Sequence, residues 1–253
     1  MSLLKVEDVG VRFGGVVALD GLSFTVEPGR ICALIGPNGA GKTTLFNVLS
    51  RLYEPTSGRV TFDGTDLLRV PAHRIVRLGL ARTFQNVALF PALSVLDNVV
   101  AGAHSLGRVG FGRALLRIGV GAEERTVRAR CLELLERLDL AHLAHRPVAG
   151  LPFGTLKRIE FARALSSQPR LLMLDEPANG LTHSEVDELG RTIRSIRDQF
   201  DLTILLVEHH MAMVMSISDH IVVLDFGRKI AEGPPEAVRN DPAVIEAYLG
   251  APA

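Results

Sequence analysis

Apolar positions along this chain follow two different periods, and the switches between them lay out its elements. Up to Val26 the apolar stretches are short. Leu3–Val11, Val16–Leu19 and Leu22–Val26 are split by Gly10, Gly14, Gly15 and Gly21 and closed by a Pro28-Gly29 turn. This pattern predicts short strands joined by tight turns. Ile31–Ile35 is wholly apolar and ends in a glycine-rich loop, after which Thr43–Leu52 reads as a helix. Gly58–Phe62 with Asp63-Gly64 reads as another hairpin. From Ala122 to Leu140 the period changes: Val127, Cys131, Leu134, Leu135 and Leu138 fall on one helical face. Ser105–Gly121, richer in glycine and arginine, reads as a surface insertion. Arg170–Leu174 and Leu202–Val207 are continuous apolar runs of buried-strand type with a helical stretch, Ser184–Gln199, between them; His220–Asp225 adds one more strand. Strands that are apolar on both faces and alternate with helices predict a parallel sheet covered by helices.

Composition narrows this picture. A length of 253 residues allows one large domain or two modest ones. Hydrophobic residues make up 47% and charged residues 22%, which excludes a disordered chain. The 28 basic and 28 acidic side chains cancel, which argues against nucleic acid as a partner held by bulk charge. Cys32 and Cys131 cannot build a disulfide framework and lie in no CxxC pattern. Met1–Arg12 lacks the basic and apolar regions of a signal peptide. The apolar runs fall far short of the roughly 20 residues a membrane span needs. The expectation is a soluble, cytoplasmic protein that does not itself cross a membrane. There is no internal repeat or low-complexity tract.

The strongest chemical signal is Gly36-Pro37-Asn38-Gly39-Ala40-Gly41-Lys42-Thr43-Thr44, which matches G-x-x-x-x-G-K-[ST]. On average composition a chance match in a chain this long is about a one-in-a-hundred event. The apolar run before it and the helix after it are the context the motif requires. Glycines let backbone N–H groups turn inward around phosphate oxygens, and a helix N-terminus presents further donors to the same anion. Lys42 would reach the β- and γ-phosphates, and the Thr43 hydroxyl would ligate Mg²⁺. A second signal is Leu171-Leu172-Met173-Leu174-Asp175-Glu176-Pro177, two carboxylates where an apolar strand ends. That is the edge at which open parallel sheets bind ligands. Asp175 can hold Mg²⁺, and Glu176 can act as general base on the attacking water.

The order of these motifs resembles the ATP-binding subunit of ABC transporters, over nearly the whole chain. Thr83-Phe84-Gln85-Asn86 looks like the Q-loop, Leu151-Pro152-Phe153-Gly154-Thr155 stands at the signature, and Asp175-Glu176 at the Walker B pair. Ala178-Asn179-Gly180-Leu181 matches the D-loop position, and Val207-Glu208-His209 the switch-histidine segment, with His210 expected to face solvent. The resemblance implies a P-loop NTPase α/β core with a mostly parallel sheet, an N-terminal antiparallel β subdomain and a helical subdomain. It makes residues 1–253 a single cassette, with core and β lobe at 1–86 and 161–253 and the helical lobe near 87–160. It gives ATP and Mg²⁺ as ligands. Glu176, His209 and Gln85 would be catalytic. Thr43, Gln85 and Asp175 would hold the metal. Phe13 would stack on adenine. Gly36, Asn38, Gly39, Ala40, Gly41, Lys42, Thr43 and Thr44 would bind phosphate, and Pro152 and Gly154 would cap the γ-phosphate bound to the opposite subunit.

The signature departs from the family pattern. Pro152 replaces the usual serine and Thr155 the usual glutamine. Proline suits the first turn of a helix, so the helix start should be kept and Gly154 can still offer its N–H. The serine hydroxyl is lost, and a hydrogen bond to a charged group is worth about 1.5–3 kcal/mol. This signature should therefore cap a partner's ATP more weakly.

Arg12-Phe13-Gly14-Gly15, Gly79-Leu80-Ala81-Arg82 leading to Leu89-Phe90-Pro91, Val207-Glu208-His209-His210-Met211 and the tail to Ala247-Tyr248-Leu249-Gly250 resemble the branched-chain (LIV-type) amino acid importer branch. His210 departs from its usual aspartate. That resemblance implies two membrane permeases, a second ATPase subunit (a heterodimer, with a homodimer as alternative), an external solute-binding protein, no nucleic acid, and a peripheral place on the cytoplasmic face of the membrane. Urea or short-amide importers and non-transport ABC ATPases are the alternatives. A small kinase or GTPase is disfavoured because N-K-x-D is absent. A non-catalytic regulator is disfavoured by the intact Lys42, Asp175, Glu176 and His209.

Overall fold

The computed structural model describes residues 2–83, 88–104 and 120–249. By its contacts the chain forms two units, Met1–Ile75 with Arg170–Ala253, and Val76–Pro169.

In the first unit, β1 (Leu4–Phe13) and β2 (Val16–Val26) form an antiparallel hairpin. Strand β4 (Ser57–Phe62) pairs with the other edge of β1, and β5 (Thr65–Asp66) with β4. The apolar pattern divides the second stretch at Gly21, yet β2 runs straight through it. Gly21 takes φ +67, and the ladder absorbs it as one of three register shifts against β1. The β-bulge keeps Leu19, Leu22, Phe24 and Val26 buried on both sides of the glycine.

The second sheet of this unit uses β3 (Ile31–Ile35), β7 (Leu171–Asp175), β8 (Thr203–Val207), β9 (His220–Asp225) and β10 (Arg228–Gly233). Their order is β10-β9-β3-β8-β7. Strands β7, β8, β3 and β9 are parallel, and only β10 returns antiparallel along β9. Every residue of β3, β7 and β8 is buried, as the continuous apolar runs require of a sheet covered on both faces. The helices of this unit are α1 (Lys42–Leu49), α5 (His183–Phe200), α6 (Met211–Ile217), α7 (Pro235–Arg239) and α8 (Pro242–Leu249). Val214, Val238 and Val244 from the last three close over Ala33, Ile35, Ile221 and Val223 of the sheet.

The second unit carries β6 (Leu80–Arg82), α2 (Val95–Ala103), α3 (Val120–Arg137) and α4 (Phe153–Leu165). Gly102 is the contact point of α2 with α4, because a Cβ there would stand 2.0 Å from the Arg163 carbonyl oxygen. Residues 105–119, most of the expected insertion, lie outside the described residues. No helix among the described residues is long and apolar enough to cross a membrane.

Candidate functional site

Strands β3, β8 and β7 are neighbours and parallel, so their C-terminal ends share one edge. The phosphate-loop motif, His209 and the Asp175-Glu176 pair each follow one of these ends. Topology thus brings to one edge groups that are more than 160 residues apart in sequence.

The loop after β3 is pressed against its surroundings. A Cβ on Gly36 (φ +151) would stand 2.1 Å from the Leu224 carbonyl oxygen, and one on Gly41 (φ +101) 2.6 Å from that of Ala18. Neither position has room for a side chain. Gly227, in the β9–β10 turn, donates its N–H to the Ala40 carbonyl at 3.1 Å, and its own carbonyl accepts the Asp20 N–H at 3.0 Å. Asn38 and Gly39 are exposed, Ala40 is buried, Thr43 is exposed and Thr44 half-buried.

Gly41 is the N-cap of α1, with no side-chain cap and no acidic residue in the first turn. The positive end of α1 and its amide donors are therefore not neutralised from within the element. Lys42 is buried, and its Nζ donates to the Gly36 carbonyl at 2.7 Å and the Pro37 carbonyl at 2.9 Å. An ammonium has three N–H groups, and these bonds use two. Burial pushes Lys42 below the ordinary lysine value, and the Glu176 carboxylate works against that shift. The Glu176 charge is thus felt at Lys42.

Asp175 closes β7 and is buried. Glu176 follows in the left-handed region, φ +47, and is half-buried. Its N–H donates to the Val207 carbonyl at 2.9 Å, and its carbonyl accepts the Asn179 N–H at 3.1 Å. The chain therefore turns sharply at Glu176 while staying registered to β8.

After β8, Glu208 is buried, His209 exposed and His210 half-buried at the N-cap of α6. His210, expected to face solvent, is partly exposed. Its ring lies 4.6 Å from that of His209, centroid to centroid, and this contact covers one face. Glu208 Oε2 accepts the Ala178 N–H at 3.0 Å. Its Oε1 accepts the N–H of His209 at 2.9 Å and of His210 at 3.4 Å, and lies 3.3 Å from His209 Nδ1. The ligand-type atoms of these three residues fall within 4.8 Å of one another. The Glu208 oxygens already face backbone donors, so the carboxylate acts as a hydrogen-bond hub.

Phe13, half-exposed at the end of β1, meets the ring of Tyr53 edge-on at 5.2 Å. In α8, burial pushes the Tyr248 phenol up to about 12, while a hydrogen bond with the Gly36 backbone works against the shift. Val244, one turn earlier, packs on Ile35. Sequence reasoning missed Glu208, Tyr53 and Tyr248. Only Glu208 carried a readable signal, an acid directly after an all-apolar strand.

In the second unit, α4 begins at Phe153, and Pro152 is its N-cap (φ −56, ψ 147). The expected helix start is kept, but proline stands one position outside the first turn. Its carbonyl accepts the Leu156 N–H at 3.0 Å, and no side chain caps the end. A serine at this N-cap could accept an amide hydrogen bond; proline has no such atom. Gly154 lies in the first turn, half-buried. Gln85 lies outside the described residues.

A glycine-walled loop between a parallel strand and a helix N-terminus, with a lysine in that first turn and carboxylates at the next strand ends, defines a P-loop nucleoside-triphosphate-binding protein. The ABC transporter family matches residues 19–179, and a branched-chain amino acid ATP-binding cassette transporter family matches residues 228–253. The chain belongs to the ABC transporter family, as an ATP-binding cassette with ATPase chemistry. It is 42% identical over 249 residues to a high-affinity branched-chain amino acid transport ATP-binding protein, BraF, of Pseudomonas aeruginosa, covering 98% of each chain. It is 41% identical over 249 residues to the corresponding protein LivG of Escherichia coli, again covering 98% of each. Among solved structures it resembles the ADP conformation of an ATP-binding cassette of an ABC transporter, with TM-score 0.86, 31% identity, and 99% and 100% coverage of the two chains. It also resembles a nucleotide-free cassette from an ABC transporter, with TM-score 0.85, 30% identity and the same coverage.

Proposed function

We propose that this chain is the subunit that binds and hydrolyses ATP to drive an importer of branched-chain amino acids. The observation that carries the catalytic part is the shared edge of β3, β8 and β7, from which Lys42, His209 and the Asp175-Glu176 pair all follow. The reading of the cargo rests on the family match over residues 228–253 and on the names of the relatives.

The α1 amides, the loop from Gly36 to Thr44 and the Lys42 ammonium hold the β- and γ-phosphates. Asp175, the Thr43 hydroxyl and Gln85 are hard oxygen donors, the type Mg²⁺ takes. They would hold Mg²⁺, which would supply charge neutralisation at the phosphates. Glu176 accepts a proton from the attacking water, and His209 contacts the γ-phosphate. Phe13 offers its exposed face to the adenine. Pro152 and Gly154 serve the site of a second ATPase subunit, which supplies its own signature in return. The helical lobe, near residues 87–160, would contact the permeases, with Gln85 and the loop Leu89–Val95 passing on closure. The chain would sit peripherally on the cytoplasmic face, beneath two permeases fed by an external solute-binding protein.

Glu176→Gln tests the chemistry. The assembled complex should still bind ATP while turnover falls at least about 100-fold, within the range of general-base contributions. Full turnover in that variant removes Glu176 from the mechanism.

A further inference from the structure

We propose that Glu208 is a positioning residue for hydrolysis, whose buried carboxylate fixes the His209 ring and the backbone just after Glu176 in one frame. The proposal rests on the reading of His209 given above and adds a residue that neither the motif nor the family resemblance assigns a task.

The Glu208 side chain has no exposed surface. A carboxylate taken out of water costs several kcal/mol unless its oxygens are met by donors. Here they are met from two segments. Oε2 takes the Ala178 N–H, two residues beyond Glu176, and Oε1 takes the His209 and His210 N–H groups. Hydrogen bonds to an ionised acceptor are stronger than neutral ones and hold their donors more tightly. The same Oε1 stands 3.3 Å from His209 Nδ1. At that distance the carboxylate charge favours a proton on Nδ1 over one on Nε2, and that tautomer leaves Nε2 free on the opposite side of the ring. The His209 side chain is itself 56% exposed, so little packing holds it in place. This contact and the neighbouring His210 ring both bear on its orientation.

A carboxylate is needed, because each of its oxygens accepts. Glutamine would turn an NH₂ group toward either the Ala178 N–H or the His209 N–H, donor against donor. The ladder already ties these segments together, with Asp175 opposite Val207 and the Glu176 N–H on the Val207 carbonyl. Glu208 extends that tie one step beyond the sheet, to His209 and to the segment just after Glu176.

The test uses the complex purified from membranes through a tagged full-length chain. Glu208→Gln should lower kcat for ATP hydrolysis at least tenfold and leave the KM for ATP within twofold. In a His209→Ala background the same change should cost less than it does in the wild-type chain, because the ring is no longer there to be positioned and only the tie to Ala178 remains to be lost. A Glu208→Gln complex that keeps kcat overturns the proposal, and so does one whose loss multiplies with that of His209→Ala. Should the variant fail to assemble, ¹⁵N spectra of histidine-labelled wild-type chain decide. A His209 ring protonated at Nδ1 supports the proposal, and one protonated at Nε2 alone overturns it. Full turnover in His209→Ala by itself marks failure of the reading of His209, a result separate from any change at Glu208.

Discussion

At the scale of single residues, the phosphate loop is where one carbon atom decides most. Gly36 and Gly41 are excluded from carrying a side chain by backbone oxygens at 2.1 and 2.6 Å, whereas at Gly39 a Cβ meets no protein atom within 4 Å and the φ of +82 is what disfavours other residues in the fold. Gly39→Ala should cost about 1–2 kcal/mol for the left-handed conformation alone. Gly36→Ala must also displace the β9 strand end, so its cost should exceed that of Gly39→Ala by at least about 2 kcal/mol. Urea unfolding of the two variants checks the order, and equal losses contradict the close approach to Leu224. The loop was legible because its information is local, nine consecutive residues. The task of Glu208 was not, because one of its partners, Ala178, is thirty residues away and reaches it only through the parallel pairing of β7 with β8.

At the scale of elements, the apolar pattern found most strands, missed β6 and β10, and misjudged several ends. Helix α1 stops at Leu49, short of the expected Leu52, because Arg51 takes φ +57 and the Leu52 N–H returns to the Asn47 carbonyl at 2.8 Å. Helix α3 ends the same way, with Asp139 at φ +54 and the Leu140 N–H on the Leu135 carbonyl at 2.8 Å. Both are Schellman endings built without the glycine that would announce them. Helix α2 starts with a side-chain cap: Ser94 Oγ accepts the Asp97 N–H at 3.0 Å and donates to Asp97 Oδ2 at 2.5 Å. Ser94→Ala should cost about 1 kcal/mol. The Ser94 hydrogen bond, and then Arg128, hold the Asp97 carboxyl below its ordinary value. A lowered carboxyl contributes stability above its unfolded value and loses it as pH falls through the folded one. Asp97→Asn should therefore weaken the protein at pH 7 by less than about 1 kcal/mol, since the pair is partly exposed. At a pH below the lowered folded value the variant and the parent should unfold alike, because both side chains are then uncharged. Unfolding curves at the two pH values check this, and a loss that persists at low pH contradicts it.

At the scale of the whole molecule, the balanced charge and the absence of a spanning helix among the described residues belong to a chain whose phosphate binding is local and whose membrane passage, on the proposed reading, is built by other chains. Pro152 is where the partner chains matter most. At the N-cap of α4 it leaves the helix intact and removes a hydroxyl that a serine would present. Pro152→Ser should raise ATPase of the assembled complex several-fold, as one recovered hydrogen bond to a charged group allows; an unchanged rate contradicts the weaker cap. The sequence could not decide this by itself, because on the proposed reading the atom affected lies in another subunit's site.

The central claim, that ATP hydrolysis on this chain drives import of branched-chain amino acids, meets its most direct test in transport. The complex pulled from membranes by the tagged chain is reconstituted into vesicles with its solute-binding protein on the outer face and ATP on the face of this chain. Uptake of labelled leucine is then followed with wild-type chain and with Glu176→Gln. The account predicts ATP-dependent uptake that unlabelled isoleucine and valine compete away, that urea does not, and that Glu176→Gln abolishes. Uptake that persists at full rate with Glu176→Gln, or a complex that moves urea and not leucine, contradicts it.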